Sequence, residues 1–181
     1  AYSNILYTGC TTHCGSLLFK DVCLHTWVEG IIDKAVLVAK FFRNHQYYVT
    51  EVHTRTHQQH RTYMSVLMYG PARFASMYFV MNRLLFLRTI LKEIAVSHGF
   101  EERNFADADT INGILTSDPF WTDMEKLCVF LKPLKCFIRL MDHDCHCTHH
   151  EYNGACSCLR LVRNLNLPCP LSGMWLVGEH W

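Results

Sequence analysis

The feature that most restricts the fold of this chain is a set of three apolar stripes at helical spacing. Within each stripe an apolar side chain recurs every three or four residues, which places the whole set on one face of an α-helix. The stripes are Trp27, Ile31, Ala35, Val38 and Phe42; Met77, Val80, Leu84, Leu87, Leu91 and Ile94; and Phe120, Met124, Leu127, Leu131, Leu134, Ile138 and Met141. The sequence therefore predicts a mainly α fold whose core is built from these helices.

Turn and capping residues mark where the second and third helices are expected to begin, and where the second is expected to end. Gly70-Pro71 precedes the second stripe and Asp118-Pro119 precedes the third. Proline has no amide hydrogen to lose in a first helical turn, and aspartate is a favourable cap. Gly99 is expected to end the second helix. Pro133 lies inside the third stripe and is expected to bend that helix, because it removes one backbone hydrogen bond.

The rest of the chain is less regular. Residues Ile5 to Thr8 are β-prone and predict a short strand, followed by a helix from about Thr12 to Asp21. Residues Asn44 to Arg61 lose the apolar period and predict a polar loop or a weak helix. Three imidazoles in that segment have helical spacing and could bind a metal loosely, although we favour a solvated loop: His53, His57 and His60.

Composition narrows the class of protein. Half of the 181 residues are hydrophobic and 18% are charged, which is too apolar for a disordered chain and too often interrupted by charge for a membrane span. The formal net charge of +1 gives no overall attraction to nucleic acid, so DNA binding would need a local basic patch, which the sequence does not clearly show. The chain opens at Ala1 with neither methionine nor a signal peptide, so we expect a truncated product whose ten cysteines are reduced.

Three segments taken in order carry a resemblance to a known family. They are Tyr7 to Cys14; Trp27 to Glu29 with Ala39 to His45; and Gly70 to Ser76, followed by a long helix, Phe120-Trp121, Leu131 to Leu134 and Met141 to Asp144. In this order and spacing, over roughly residues 5–144, they resemble the middle of plant-type hAT-superfamily DNA transposases. The ordered set carries the resemblance, because a lone Cys-x-x-His is common.

The resemblance implies an RNase H-like catalytic fold interrupted by a large helical insertion. Residues 1–23 would be a remnant of that core with a short β-strand, and residues 24–144 would be the helical insertion. Residues 145–181 would be an irregular Cys/His-rich tail, non-native or disordered, because the family's pattern stops after Asp144 as it would after a frameshift. Further departures from the family lie at Ala72, where Thr is usual, and at Gly15-Ser16.

The resemblance also assigns individual residues. Cys10 and His13 match the family's Cys-x-x-His at the edge of the catalytic core. Arg73 and Phe74 match the Arg and aromatic residue of its Thr-Arg-Phe or Thr-Arg-Trp motif, which is linked to handling of the DNA hairpin or flank. The structural alternatives are a half-buried Cys and a hydrogen-bonded His at a helix start, and a surface Arg beside a core Phe.

The family's chemistry uses three carboxylates that hold two divalent cations, Mg²⁺ or Mn²⁺. The first two acids lie upstream of the Cys-x-x-His and the third lies beyond the matched region, so the resemblance implies that this chain has none of them. Asp142 and Asp144 match the end of the insertion and do not substitute. We therefore expect no catalysis and no cofactor in this chain. DNA as partner and the nucleus as location follow from the resemblance alone; otherwise we expect a cytoplasmic protein, with no membrane partner.

Two other interpretations stay open. The tail supplies enough soft ligands for one tetrahedral Zn²⁺, although its Cys-x-Cys spacing is unusual and an unstructured tail is favoured. The second alternative is a helical protein–protein interaction module, which should show an exposed apolar face on one amphipathic helix. Apolar faces left without their sheet would also favour self-association. The candidate zinc ligands are Cys145, Cys147, Cys156 and Cys158.

Overall fold

A computed structural model of the chain describes residues 11–68, 70, 76–97 and 107–142. The helices in these ranges are α1 (Thr11–Cys23), α2 (Thr26–Asn44), α3 (Gln46–His60), α4 (Ser76–Phe86), α5 (Arg88–Ala95), α6 (Ala108–Thr116) and α7 (Asp118–Asp142). No strand occurs within these ranges, and the mainly α prediction is confirmed. The strand expected at Ile5 to Thr8 and the tail from residue 145 lie outside the described residues.

The chain divides into two compact units, one of residues 1–25 with 130–181 and one of residues 26–129. Within the second unit, α2 packs against α3, α4 and α6, while α5 packs against α3, α4 and α6. Helices α2 and α5 therefore pack against the same three helices, and these contacts form the helical core of this unit. None of the helices in the described part of the chain is long and apolar enough to cross a lipid bilayer.

The second and third apolar stripes are buried as predicted. All six residues of the second stripe and the first six of the third are at most 6% exposed; the side chain of Met141 lies outside the described set. The first stripe needs one correction, because Trp27 is 43% exposed whereas its neighbour Val28 is 1% exposed. The buried face of α2 begins at Val28 and continues through Ile31, three residues on, because one residue of shift turns a helical side chain by about 100°.

The second stripe lies on two helices, where the sequence predicted one. Helices α4 and α5 meet at Leu87, whose backbone has φ −86° and ψ 1°. Hydrogen bonds still cross the junction, from the Leu87 amide to the Arg83 carbonyl at 3.0 Å and from the Leu91 amide to the Leu87 carbonyl at 2.9 Å. Helix α4 begins at Ser76 and α5 ends at Ala95. Pro71 and Gly99 lie outside the described residues.

The segment expected to be a polar loop or weak helix forms the 15-residue helix α3. Its buried residues, Tyr48, Val52 and Thr56, follow one another at intervals of four, so the helix has a narrow apolar face although its composition is polar. The preferred interpretation of His53, His57 and His60 as part of a solvated loop is wrong. Tertiary packing stabilises a helix here that the sequence pattern alone only weakly indicates.

Helix α7 begins at Asp118 and contains Pro133 without ending there. Asp118 was expected to cap this helix, but its Oδ1 accepts hydrogen bonds from Lys92 Nζ at 2.7 Å and from Arg88 NH2 at 3.3 Å. An ion pair between helices thus engages the carboxylate. Pro119 falls in the first turn, as expected from its missing amide hydrogen.

Candidate functional site on helices α3 and α4

Most of the site residues that were expected, from the resemblance or as zinc ligands, lie outside the described residues. His13 falls within helix α1, and its side chain is not among those described. The others are Cys10, Arg73, Phe74 and the zinc candidates Cys145, Cys147, Cys156 and Cys158. The assignments at all of these positions stay predictions.

Acidic residues are unevenly distributed along the chain. Between Glu51 and Glu93 the sequence contains neither Asp nor Glu. The net charge of +1 for the whole chain does not reflect this local excess of positive charge. The stretch carries six cationic side chains and three imidazoles: Arg55, Arg61, Arg73, Arg83, Arg88 and Lys92, with His53, His57 and His60. This stretch is locally basic although the chain as a whole is nearly neutral.

Three of these cations are neutralised by carboxylates from outside the stretch. Arg55 pairs with Glu51 at 3.1 Å and with Glu93 at 3.5 Å. Asp118 pairs with the two cations of α5, Lys92 at 2.7 Å and Arg88 at 3.3 Å.

Arg61 and Arg83 differ from these, because neither has a carboxylate partner within the described ranges. Arg83 lies on α4 and donates from NH1 to the Ser65 carbonyl oxygen at 3.1 Å. Arg61 is exposed at the end of α3. Uncompensated positive charge therefore remains at the end of α3 and on the adjoining part of α4.

The imidazoles of α3 lie beside the same two arginines. They occur at intervals of four and three residues, so they share one face of the helix. The His57 ring stacks on Tyr63, with centroids 4.4 Å apart and planes 17° apart. The His60 ring contacts Phe86 of α4, with centroids 4.9 Å apart. Tyr63 is 68% exposed and Phe86 is 51% exposed.

The segment that carries Tyr63 is held by side-chain hydrogen bonds. The fully buried Thr56 donates from Oγ1 to the His53 carbonyl at 3.0 Å and accepts from the Met64 amide at 3.2 Å. Ser65 Oγ and His53 Nε2 are hydrogen-bonded at 2.6 Å. Val66, 3% exposed, anchors the same segment in the core. Tyr63 is thus an exposed ring on a fixed backbone.

We name this region the α3–α4 surface. It combines exposed aromatic rings, imidazoles and two arginines, and the crevice beside it, lined by Phe42, Val49, Val52 and Val66 among others, has no room for a ligand. The members of the α3–α4 surface are His53, His57, His60, Arg61, Tyr63, Arg83 and Phe86.

The described residues contain no cluster of metal-ligand side chains. Across residues 11–68, 70, 76–97 and 107–142, no three His, Cys, Asp or Glu side chains lie close enough to hold a metal ion. The three histidines of α3 therefore do not form a chelating set, since His53 is hydrogen-bonded to Ser65 and His57 is stacked on Tyr63.

No family model, no curated protein and no solved structure matches this chain.

Proposed function

We propose that this chain is a transposase-like helical module that associates with DNA and leaves strand-transfer chemistry to carboxylates that it does not contain. The observation that carries the proposal is the carboxylate-free α3–α4 surface, where Arg61 and Arg83 have no acidic partner among the described residues. Most nucleic-acid affinity comes from neutralising phosphates with such cations.

The helical arrangement is consistent with the resemblance. The stretch expected to be an insertion made of helices contains α2 to α7, and α2 to α6 pack against one another. Arg61 comes from the end of α3, and Arg83 comes from the middle of α4 and is hydrogen-bonded to Ser65 in the segment that follows α3. In this proposal the helices act as a rigid support for a DNA-facing surface.

DNA association is tested by salt elution of the full chain from DNA-cellulose. Arg61→Asn should elute at lower salt than the native chain, because it removes an uncompensated charge from the α3–α4 surface. Lys40→Gln is the matched control, since Lys40 is an exposed cation on α2, and it should elute close to the native position. Equal shifts for the two variants would mean that DNA responds only to net charge, and passage of the native chain without retention would remove the proposal.

Family identity needs its own test. The genomic reading frame upstream of Cys10 should encode the first two acidic residues of the hAT pattern, and a downstream frame should encode the third. An intact upstream frame without these acids would contradict transposase ancestry, whatever the DNA-binding result.

A helical protein-interaction module is the second candidate, and one observation favours it. Phe79 and Phe86 lie seven residues apart on α4, on one face of that helix, and are 45% and 51% exposed. If this face mediates self-association, sedimentation equilibrium should give a dimer that dissociates in Phe79→Ser/Phe86→Ser. A native monomer would count against this candidate.

The zinc alternative is tested directly by metal analysis. A zinc module predicts stoichiometric zinc in the purified chain that is lost in Cys156→Ser/Cys158→Ser. A chain without bound zinc, purified with reductant and without chelators, would contradict it.

A further inference from the structure

We infer that the α3–α4 surface binds single-stranded nucleic acid by stacking an unpaired base on Tyr63. This inference rests on the proposed DNA association and names the ligand of that surface. The observation behind it is the near-parallel pair formed by His57 and Tyr63, with centroids 4.4 Å apart and planes only 17° apart.

The ring pair leaves Tyr63 available on one side. His57 covers one face of the phenol ring, and Tyr63 nevertheless remains 68% exposed. A flat ring supported from behind and open in front is the arrangement on which an unpaired base can stack, at a gain that depends little on base identity.

The positive charge near Tyr63 favours an anionic ligand. Arg61 lies two residues before Tyr63 in the chain, and Arg83 is hydrogen-bonded to the carbonyl of Ser65, two residues after it. These two cations would attract the phosphates that flank a stacked base, and no member of the surface is a carboxylate that would repel them. An acidic peptide would neutralise the two arginines, but its acidic side chains have no flat ring that could stack on Tyr63.

The same geometry favours a single strand over a duplex. Bases in a duplex are already paired and stacked, so their π faces cannot reach a protein ring unless a base is flipped out. Preorganisation adds to the case, because the segment around Tyr63 is held by the Thr56–Met64 and His53–Ser65 hydrogen bonds. Little conformational entropy would then be lost when a base stacks.

The backbone at Arg61 provides a variant that separates binding from stability. Arg61 ends α3 with φ 56° and ψ 22°, in the left-handed region, and its amide donates to the His57 carbonyl. Asparagine adopts this conformation more readily than other non-glycine residues. Arg61→Asn should therefore remain folded while losing its charge.

The experiment measures fluorescence anisotropy of labelled oligonucleotides with the full chain. The probes are oligo-dT and oligo-U of about 12 nucleotides, within the range of single-strand binding sites, a duplex of the same length, and polyglutamate. We expect both single strands to bind, with the relative affinity of the two distinguishing DNA from RNA as the preferred source. The duplex should bind more weakly, and polyglutamate weakest of all.

The variants isolate the stacking ring and the charge. Tyr63→Ser should weaken single-strand binding by about 5- to 150-fold, the range found when a base-stacking ring is removed, while Tyr63→Phe should bind like the native chain. Arg61→Asn should reduce the slope of log affinity against log salt by about 0.7, the value of one lost phosphate contact on a single strand. Lys40→Gln should leave both quantities unchanged.

Several outcomes would overturn the inference. Duplex binding that equals or exceeds single-strand binding, or equal affinity for Tyr63→Ser and Tyr63→Phe, would remove the stacking claim while leaving DNA association intact. Tight binding of polyglutamate would identify an acidic-protein surface instead. Failure to bind any nucleic acid would remove both this inference and the proposed function. Circular dichroism melts of each variant verify that the fold is retained.

Discussion

The indole Nε1 of Trp121 donates a hydrogen bond of 2.8 Å to the backbone carbonyl oxygen of Leu115, and both residues are fully buried. Leu115 lies in the last turn of α6, where carbonyl groups have no partner within their own helix. Trp121, in the first turns of α7, supplies that partner from its side chain. Trp121 thus fills the core and also donates a hydrogen bond to a carbonyl group at the end of α6.

Replacing this indole should be costly. Trp121→Phe removes the N–H donor and leaves a buried carbonyl without this hydrogen bond, a penalty of about 1–3 kcal/mol before any loss of packing. Urea denaturation followed by circular dichroism measures the change in the free energy of unfolding. Trp27→Phe is the matched control, because Trp27 is 43% exposed, and it should change stability by less than about 0.5 kcal/mol. Equal effects at the two positions would contradict the role given to Trp121.

Asp118 should titrate below the ordinary range. The hydrogen bond and positive charge of Lys92 lower the pKa of its carboxyl from 3.8, and Arg88 adds to the effect. A lowered folded-state pKa means that the pairing stabilises the fold above the ordinary pKa, and that this stabilisation is lost as the pH falls through the lowered value. The stability difference between the native chain and Asp118→Asn should therefore shrink in acid.

An NMR titration of the Asp118 carboxyl measures the same effect directly. Lys92→Gln should raise its pKa toward 3.8, whereas Lys126→Gln, which removes an exposed lysine paired with Asp123 on the same helix, should not. An unchanged pKa in Lys92→Gln would show that the ion pair does not form in solution. Because Asp118 is exposed, we expect the effect on overall stability to be small.

Thiol reactivity should follow burial. Burial raises the pKa of the Cys23 thiol to about 12, and burial with the negative charge of Glu125 raises the pKa of Cys128 to about 12. Only the thiolate is nucleophilic, so both should react slowly at about pH 8. Cys136 is exposed and should be alkylated by iodoacetamide before Cys23 and Cys128, as read by peptide mass mapping. Equal labelling of Cys128 and Cys136 before denaturant is added would contradict this packing.

Helix α2 carries a glycine that its packing does not require. A Cβ atom built on Gly30 meets nothing within 4 Å, and the residue lies inside the helix. Gly30→Ala should therefore raise the free energy of unfolding by about 0.5–1 kcal/mol, because alanine loses less backbone entropy on folding. Gly113→Ala in α6, where a Cβ also meets nothing, should act in the same direction. A lower melting temperature for both would mean that these helices are packed more tightly than described.

Sequence periodicity predicted about half of the buried apolar residues, because a helical period directly determines which side chains face inward. Leu84, Leu87 and Leu91 illustrate this, since all three are fully buried although a junction between two helices falls at Leu87. Apolar character was a weaker guide at α2, where it could not decide whether Trp27 or Val28 faces the core. Adjacent apolar residues differ by one helical step, and only tertiary packing selects between them.

The α3–α4 surface was harder to predict for a different reason. The absence of acidic residues between Glu51 and Glu93 can be read from the sequence, but it does not show which arginines are neutralised. Arg55 is paired with Glu93 across 38 positions of sequence, whereas Arg61 is not. Charge compensation of this kind depends on which helices meet, and helix α3 itself was only weakly indicated by its sequence.

The most direct test of the central claim is a nicking assay on supercoiled plasmid with the full 181-residue chain in Mg²⁺ or Mn²⁺. The claim is that this chain is a DNA-associating helical module without strand-transfer chemistry, so nicking should stay at the level measured with EDTA even at protein concentrations that retain DNA. Metal-dependent nicking that is lost when a carboxylate of this chain is substituted would contradict it.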